Sequence, residues 1–216
     1  ATSDQTPLMR KRAAFVAMAV AEYFAALGKQ VLFLMDSVTR MAMAARELGL
    51  SIGEPPTAKG YPPSVFSMLP RLLERSGNFG EGSITSIISV LLEGDDLQDP
   101  IGDAVRGILD GHIVLSRDLA ERGHYPAIDV PQSLSRWMND IAVPRHRELS
   151  RAARRVLAEY RDAEDLLNVG AYVQGSNPDI DEAVRRIGPL RHFMLQDIHE
   201  KCPPGEIVSG LEKVMA

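Results

Sequence analysis

Apolar residues at the start of the chain recur at the spacing of an α-helix. A helix is predicted over residues 8–27, and Gly28 stands where such a helix would be capped. Residues 31–35 form a continuous apolar run that ends in Asp36. Such a run is typical of a strand in a parallel sheet that is covered by helices on both faces. A second helix is predicted to follow this strand and to reach Arg46.

The middle of the chain alternates between strand-like and helical patterns. Four prolines and two glycines fall within residues 53–63, which predicts a stiff loop without regular structure. Residues 65–75 return to helical spacing, and the β-branched stretch at 83–92 predicts a second buried strand. The shorter predicted elements are a helix at 105–109 and strands at 112–115 and 127–130. This alternation predicts an α/β fold with a parallel sheet flanked by helices.

The pattern changes after Pro144, where a long polar helix carries a narrow apolar stripe. The stripe consists of Leu149, Ala152, Val156, Tyr160, Ala163 and Leu167. Shorter helices are predicted at 180–187, 190–200 and 207–214. We therefore predict two domains, an α/β core over residues 1–143 and a helical domain over residues 144–216.

Composition narrows the possible functions. The chain has 216 residues and a net charge of −5, with its 24 Lys and Arg residues interspersed among 29 acids, so a nucleic-acid partner is not expected. Cys202 is the single cysteine, which rules out a disulfide within the chain and favours a reducing compartment. No apolar run has the length of a bilayer and no signal-peptide pattern is present. These features together predict a cytosolic protein.

The apolar strand that ends in Asp36 fits a Walker B motif, in which the terminal carboxylate reaches the magnesium of a bound nucleotide. A buried strand that ends in a capping aspartate has the same pattern, so the motif alone does not decide. The phosphate-binding motif Gly-x-x-x-x-Gly-Lys-Ser/Thr does not occur in residues 1–216. Gly28 and Lys29 do not form one, because Tyr23 occupies the first glycine position and Gln30 replaces the hydroxyl residue.

Residues 123–136 carry a more specific signal, the sequence GHYPAIDVPQSLSR. This segment resembles the part of protein-export ATPases and rotary ATP synthase subunits that ends in an arginine finger. Further blocks agree in order: AEYF at 21–24, MDSVTR at 35–40, GEPP at 53–56, GYPPS at 60–64, LLER at 72–75, GSITS at 82–86 and GDDL at 94–97. The resemblance runs to about Met138 and more loosely to Asp181. The GEPP block and RGILDGH at 106–112 resemble the flagellar export branch, with the virulence-type secretion ATPases close to it.

The resemblance implies a RecA-like P-loop NTPase core, present here in part, followed by a helical domain. It implies roles for five residues. Asp36 matches the Walker B carboxylate that holds Mg²⁺ directly or through water, and Arg40 matches a basic residue that organises the site. Arg136 matches the finger that enters a neighbouring subunit's site. Tyr125 matches the ring that packs against adenine, and on a looser alignment Tyr172 lines that pocket from the other side.

Simpler structural roles remain open for three of these residues. Arg136 fits a surface salt bridge, Tyr125 a half-buried turn aromatic, and Tyr172 a core position.

The resemblance also implies partners and a location. It implies ATP hydrolysis by a homohexameric ring, peripheral at the inner face of the cytoplasmic membrane, beside the membrane export gate. The implied partners are a central stalk protein, a regulator, export chaperones and their cargo. The acidic residues 95–99 are either the stalk contact or a solvated turn. The alternative function is that of a non-catalytic regulatory module of the secretion apparatus.

Parts that such a motor needs lie upstream of this chain in the family. They are the phosphate-binding loop, the glutamate that activates water, central strands of the sheet and an N-terminal β-barrel. We therefore expect residues 1–216 to be a piece of a longer protein and to be inactive alone. We also expect the missing strands, or a second copy, to cover the edge of the strand that begins at Val31.

Overall fold

The computed structural model describes residues 1–2, 4–96 and 98–216. The chain forms two compact units, Ala1–Leu109 and Asp110–Ala216. Each unit has its own buried cluster of apolar side chains. No helix within the described residues is long and apolar enough to cross a membrane.

The first unit alternates helices with the strands of a small sheet. Its elements are α1 (Pro7–Ala26), β1 (Gln30–Met35), α2 (Val38–Ser51), a 3₁₀ turn (Ala58–Gly60), α3 (Pro63–Leu73), β2 (Gly77–Phe79), β3 (Gly82–Ile88), a second 3₁₀ turn (Glu93–Asp95) and α4 (Pro100–Ile108). Side-chain oxygens of Thr6, Ser37 and Asp99 cap α1, α2 and α4 by accepting bonds from backbone N–H groups of the first turn. The helices and strands predicted over residues 8–92 are present with shifted ends, whereas the loop predicted at 53–63 contains a 3₁₀ turn.

The sheet of the first unit has the strand order β1, β3, β2. β1 and β3 are parallel, in a register that runs from Gln30 beside Ser83 to Met35 beside Ile88, as the α/β pattern predicts. β2 pairs antiparallel with β3 and was missed in the sequence because its three residues are exposed and carry no apolar alternation.

β1 lies at the edge of this sheet and has exposed apolar side chains. Leu32 is 60% and Leu34 is 66% exposed. On α1, the side chains of Val16, Val20 and Tyr23 are also exposed, whereas Met18 is fully buried in the core of the unit. Helix α1 is therefore apolar on more than one side, which is typical of a helix covered on both faces. That upstream strands or a second copy of the chain cover β1 and the exposed side of α1 stays a prediction.

The second unit combines a two-stranded ribbon with a helical layer. Its elements are β4 (Gly111–Leu115), α5 (Arg117–Glu121), β5 (Ile128–Ser135), α6 (Met138–Ile141), α7 (Pro144–Asn168), α8 (Pro178–Met194) and α9 (Pro204–Met215). Helices α7, α8 and α9 bury a common cluster formed by Leu149, Ala153, Val156, Ala183, Leu190 and Leu211. Of the predicted stripe, Leu149 and Val156 lie in this cluster and Tyr160 packs against it, whereas Ala153 is buried there in place of Ala152.

Three predictions for the second unit are wrong in detail. β4 and β5 pair antiparallel in a ribbon of their own, because β5 extends to Ser135 and folds back along β4. The helices predicted at 180–187 and 190–200 are a single helix as far as Met194. It continues through Pro189 because Ile187 and Leu190 are both buried. Residues 195–200 are not helical.

Candidate active site

Asp36 stands at the carboxyl end of β1, and its side chain is exposed. The Ser89 hydroxyl, just beyond β3, donates a hydrogen bond of 2.7 Å to Asp36 Oδ1. Because β1 and β3 are parallel and in register, these two residues meet at the carboxyl edge of the sheet, which is where α/β sheets bind their ligands. Ser89 was missed in the sequence because it lies inside the strand predicted at 83–92, whereas β3 ends at Ile88.

The segment after Asp36 is fastened to the segment after β3. The Thr39 hydroxyl donates to the Leu91 carbonyl (3.2 Å) and accepts from the Leu91 N–H (2.9 Å), and the Val38 N–H donates to the Ser89 carbonyl (3.1 Å). Thr39 is buried, so these bonds form in a shielded environment. Arg40 is exposed in the first turn of α2, four residues beyond Asp36.

Asp36 offers the oxygen ligand that Mg²⁺ prefers. Among the described residues, no group of three or more His, Cys, Asp and Glu side chains is placed to enclose a metal ion. Mg²⁺ commonly keeps several waters and takes one or two carboxylates together with phosphate oxygens. A single carboxylate, exposed and oriented by Ser89, fits that mode of binding.

Two residues of the acidic segment, Asp96 and Asp99, lie next to the proline-rich loop through Lys59. Asp99 is 6% exposed; its Oδ1 caps α4 and its Oδ2 accepts from Lys59 Nζ at 3.1 Å. Lys59 Nζ also donates to Asp96 at 2.9 Å, and these two carboxylates raise the lysine's pKa. Asp99 therefore has a structural role, whereas Asp96 remains accessible. The predicted stalk contact also includes Leu97, which lies outside the described residues.

Arg136 follows the last residue of β5, and its side chain is exposed. Its N–H donates to the Asp110 carbonyl (2.9 Å), which continues the pairing of β5 with β4. Trp137, the single tryptophan of the chain, comes next and is 53% exposed. The segment thus presents an arginine at the surface of the second unit from a hydrogen-bonded strand end.

Tyr125 precedes β5 and is 57% exposed. Its carbonyl accepts a hydrogen bond of 2.9 Å from the Gln196 N–H. The non-helical residues 195–200 therefore lie beside it, and they include Ile198, the most exposed large apolar side chain among those described, at 90%. This neighbour was missed in the sequence because residues 190–200 were predicted to be one helix.

Tyr172 lies in the connection between α7 and α8. Its hydroxyl is 2.9 Å from both the Asn177 carbonyl and an oxygen of Asp181, and it lines a cavity with Leu167 and Val184. That Tyr172 and Tyr125 line the same pocket remains a prediction. In the structure, the backbone of Tyr125 is hydrogen-bonded to Gln196.

The buried carboxylate of Asp129 on β5 ties this strand to α7. Arg161 Nη2 donates to Asp129 Oδ2 at 2.9 Å, and the N–H and side-chain amide of Gln132 donate as well, at 3.0 and 2.7 Å. Burial acts to raise the pKa of Asp129, but the bonds from Gln132 and the charge of Arg161 outweigh it, so the pKa lies below its ordinary value. A cavity of about 400 Å³ adjoins Asp129 and Arg161, and His124 lies on its wall. Burial and the nearby charge of Arg191 lower the pKa of His124.

We expect this aspartate to make the second unit less stable in acid. A carboxyl group whose pKa is lower in the folded state adds stability above its unfolded pKa of about 3.9, and this stability is lost as the pH falls through the folded value. Unfolding by urea, followed by Trp137 fluorescence, should show that Asp129→Asn loses less stability than the wild type between pH 6 and pH 3. Equal losses in the two proteins would contradict the assignment.

The predicted site residues divide between the two units. Asp36 and Arg40 belong to the first unit, and Tyr125, Arg136 and Tyr172 belong to the second.

Comparison with known proteins gives a family match for both parts of the chain. Residues 1–135 match the model of the ATP synthase alpha/beta family, nucleotide-binding domain, and residues 142–213 match the model of the T3SS EscN ATPase C-terminal domain. The flagellum-specific ATP synthase of Bacillus subtilis is 52% identical over 98% of this chain and 48% of its own length. The type 3 secretion system ATPase of Pseudomonas savastanoi pv. phaseolicola is 49% identical over 98% of this chain and 47% of its own. The chain thus spans about half the length of these relatives.

Solved structures agree with the sequence relatives. The assembled ATPase EscN from the type III secretion system of enteropathogenic E. coli superposes with a TM-score of 0.96 at 47% identity, over 100% of this chain and 52% of the EscN chain. EscN in complex with its central stalk EscO gives a TM-score of 0.90 at 45% identity, again over 100% and 52%. These matches confirm the α/β fold, with helices flanking small sheets and a helical C-terminal region. The chain belongs to the ATP synthase alpha/beta family, in the branch of the flagellar and type III secretion ATPases.

Proposed function

We propose that this chain supplies the Walker B carboxylate and the arginine finger of a motor that hydrolyses ATP to energise flagellar protein export. The observation that carries the proposal is the placement of Asp36. It is exposed and held by Ser89 at the carboxyl edge of a parallel strand pair, in a chain 52% identical to a flagellum-specific ATP synthase. A virulence-type secretion ATPase is the closely related alternative, since such relatives are 49% identical.

Asp36 would hold the Mg²⁺ of the bound nucleotide, directly or through water. The ion neutralises charge on the phosphates when it is bound. Ser89 fixes the orientation of the carboxylate through the bond to Oδ1, and Arg40, in the first turn of α2, organises the anionic site. The bonds between Thr39 and Leu91 hold the ends of β1 and β3 together and keep this geometry from relaxing.

Arg136 would act in the site of a neighbouring subunit of a homohexamer. Its exposure at the end of β5 supports this role, because a finger must reach beyond its own subunit. A guanidinium aimed at the γ-phosphate stabilises charge that develops in the transition state. The assembled form of EscN supports an oligomer.

Tyr125 would pack against the adenine ring, with Tyr172 as the looser candidate for the opposite wall. Ile198 is a further candidate, because the bond from Gln196 to Tyr125 brings residues 195–200 to this tyrosine. Its exposed apolar side chain suits contact with the flat face of a base.

We further propose an α/β core at 1–143 and a helical domain at 144–216, supported by family models that end at 135 and begin at 142. This division differs from that of the compact units, which meet between Leu109 and Asp110. The motor would work in the cytoplasm at the inner face of the membrane, beside the export gate, with a regulator, chaperones and cargo. The complex of EscN with EscO supports a central stalk as partner. Asp96 is an accessible acid for that contact, whereas Asp99 caps α4.

The alternative is a non-catalytic regulatory module of the secretion apparatus. The experiment that separates the two candidates is an ATPase assay of the full-length gene product. Magnesium-dependent phosphate release supports the motor, and its absence in a folded, ATP-exposed hexamer supports the module.

We expect the chain of residues 1–216 by itself to release no phosphate from ATP above background. It lacks the backbone cradle and the lysine that bind the β- and γ-phosphates in P-loop enzymes. The measurement is phosphate release by the purified chain with and without Mg²⁺, with its Asp36→Ala variant as the matched control. Turnover that requires both Mg²⁺ and Asp36 would contradict this prediction.

A further inference from the structure

A row of arginines follows one face of α7. Arg147, Arg151, Arg154 and Arg161 are separated by four, three and seven residues, a spacing that keeps side chains on the same side of a helix.

These arginines bind, one after another, the segment that carries Arg136. Arg147 Nη1 donates to the Asn139 carbonyl at 2.7 Å, and Arg151 Nη2 donates more weakly to the Asn139 side chain at 3.4 Å. Arg154 Nη2 donates to the Ser133 carbonyl at 2.8 Å, and Arg161 binds Asp129. As the residue number rises along α7, that of the partner falls, so the helix and the segment run antiparallel.

The two short bonds to backbone carbonyls bracket Arg136. Ser133 lies three residues before it and Asn139 three residues after it. A hydrogen bond from a charged guanidinium is about twice as strong as one between neutral groups, and the planar fork loses little freedom when it binds. Both arginines are half-buried. The bond from Arg154 to Ser133 is partly buried, which limits competition from water, whereas the bond from Arg147 to Asn139 is exposed.

Helix α7 is packed into the core of the unit more extensively than strand β5. Leu149, Ala153 and Val156 bury its apolar side within the core of the second unit. β5 is paired with a single strand, β4, within that unit. The bond from Arg154 to β5 and the bond from Arg147 to α6 therefore tie the segment on both sides of Arg136 to a packed helix.

We propose that Arg147 and Arg154 are positioning residues for Arg136, which couple the orientation of α7 to the placement of the finger. The proposal rests on the proposed function, in which Arg136 acts on a neighbouring site. It follows that a partner that displaces the helical layer also displaces the finger, and so changes the hydrolysis rate in the adjacent subunit.

The test uses the full-length hexamer with Arg147→Ala and Arg154→Ala combined. We expect kcat to fall about 10- to 100-fold, because a misplacement of about 1 Å has an effect of this order. KM for Mg-ATP should stay within about twofold, since the finger acts on the transition state more than on the bound substrate. Arg155→Ala is the matched control: this exposed neighbour on α7 pairs with Asp179 on α8 and should leave kcat unchanged.

Two further measurements separate positioning from a general loss of stability. Arg147→Lys with Arg154→Lys keeps a charged donor at each place and should restore most of kcat. Trp137 adjoins Arg136, so its fluorescence anisotropy, corrected with a Trp137→Phe background, should show faster local motion in the double alanine variant and not in Arg155→Ala. Equal thermal midpoints for the two alanine proteins would accompany this result.

The most decisive test is whether the effects on kcat of the double alanine variant and of Arg136→Ala are additive. In an Arg136→Ala background, the double alanine variant should lower the residual rate by no more than about twofold, because its effect acts through Arg136. A full additional loss in that background, or an unchanged kcat in the double variant alone, would overturn the proposal while leaving the finger intact. An unchanged kcat in Arg136→Ala itself would instead overturn the proposed function.

Discussion

The Arg136→Ala variant of the full-length protein is expected to bind Mg-ATP almost as well as the wild type and to hydrolyse it about 1,000-fold more slowly. The guanidinium interacts with charge that develops on the transferring phosphoryl group, so its removal raises the barrier more than it weakens the ground state. The side chain is exposed at the end of β5, and a large loss of folding stability is therefore not expected.

Single-turnover hydrolysis and equilibrium binding of a fluorescent ATP analogue would separate the two effects. Arg136→Lys keeps the charge but loses the planar fork, and we expect it to restore only part of the rate. Exposed Arg155 serves again as the control position. A rate within about threefold of wild type for Arg136→Ala would show that this arginine is not a finger.

The second large effect concerns stability. Gly82→Ala is expected to destabilise the first unit by about 3 kcal/mol or more. A Cβ at this position would lie 1.9 Å from the Ala25 carbonyl oxygen and 2.7 Å from its carbon. Both are backbone atoms near the end of α1, so relief requires α1 to move away from β3.

Urea unfolding followed by circular dichroism would measure this effect. Gly107→Ala is the matched control, because a Cβ at Gly107 on α4 meets nothing within 4 Å. That substitution should change the free energy of unfolding by less than about 1 kcal/mol and in the stabilising direction. A similarly small change for Gly82→Ala would contradict the close packing of α1 against β3.

The sequence predicted those parts of the fold that depend on local pattern. The helix at residues 8–27 and the strand ending in Asp36 correspond to α1 and β1, because spacing and apolar runs carry information about both. Pairing direction carries no such local mark, which is why the antiparallel ribbon of β4 and β5 was predicted as part of a parallel sheet. The two helices predicted at 180–187 and 190–200 are joined across Gly188 and Pro189, because Ile187 and Leu190 are both buried.

The residues of the candidate site also divide into those that a local motif identifies and those that only the fold identifies. Asp36 and Arg136 could be selected from motifs, since each stands in an ordered block of the sequence. Ser89 could not, because its contact with Asp36 depends on the register between β1 and β3. The bonds from Arg147 and Arg154 end on backbone carbonyls, which have no residue-specific signature, so only the fold reveals them.

Subunit mixing tests the central claim most directly. Asp36→Ala and Arg136→Ala hexamers, each inactive alone, are dissociated, mixed and reassembled, and the mixed composition is verified by mass. If Asp36 and Arg136 act from opposite sides of a subunit interface, some interfaces in mixed rings join an intact carboxylate to an intact finger. We predict that these rings regain magnesium-dependent ATP hydrolysis above either parent. Mixed rings that stay as inactive as both parents would contradict the account.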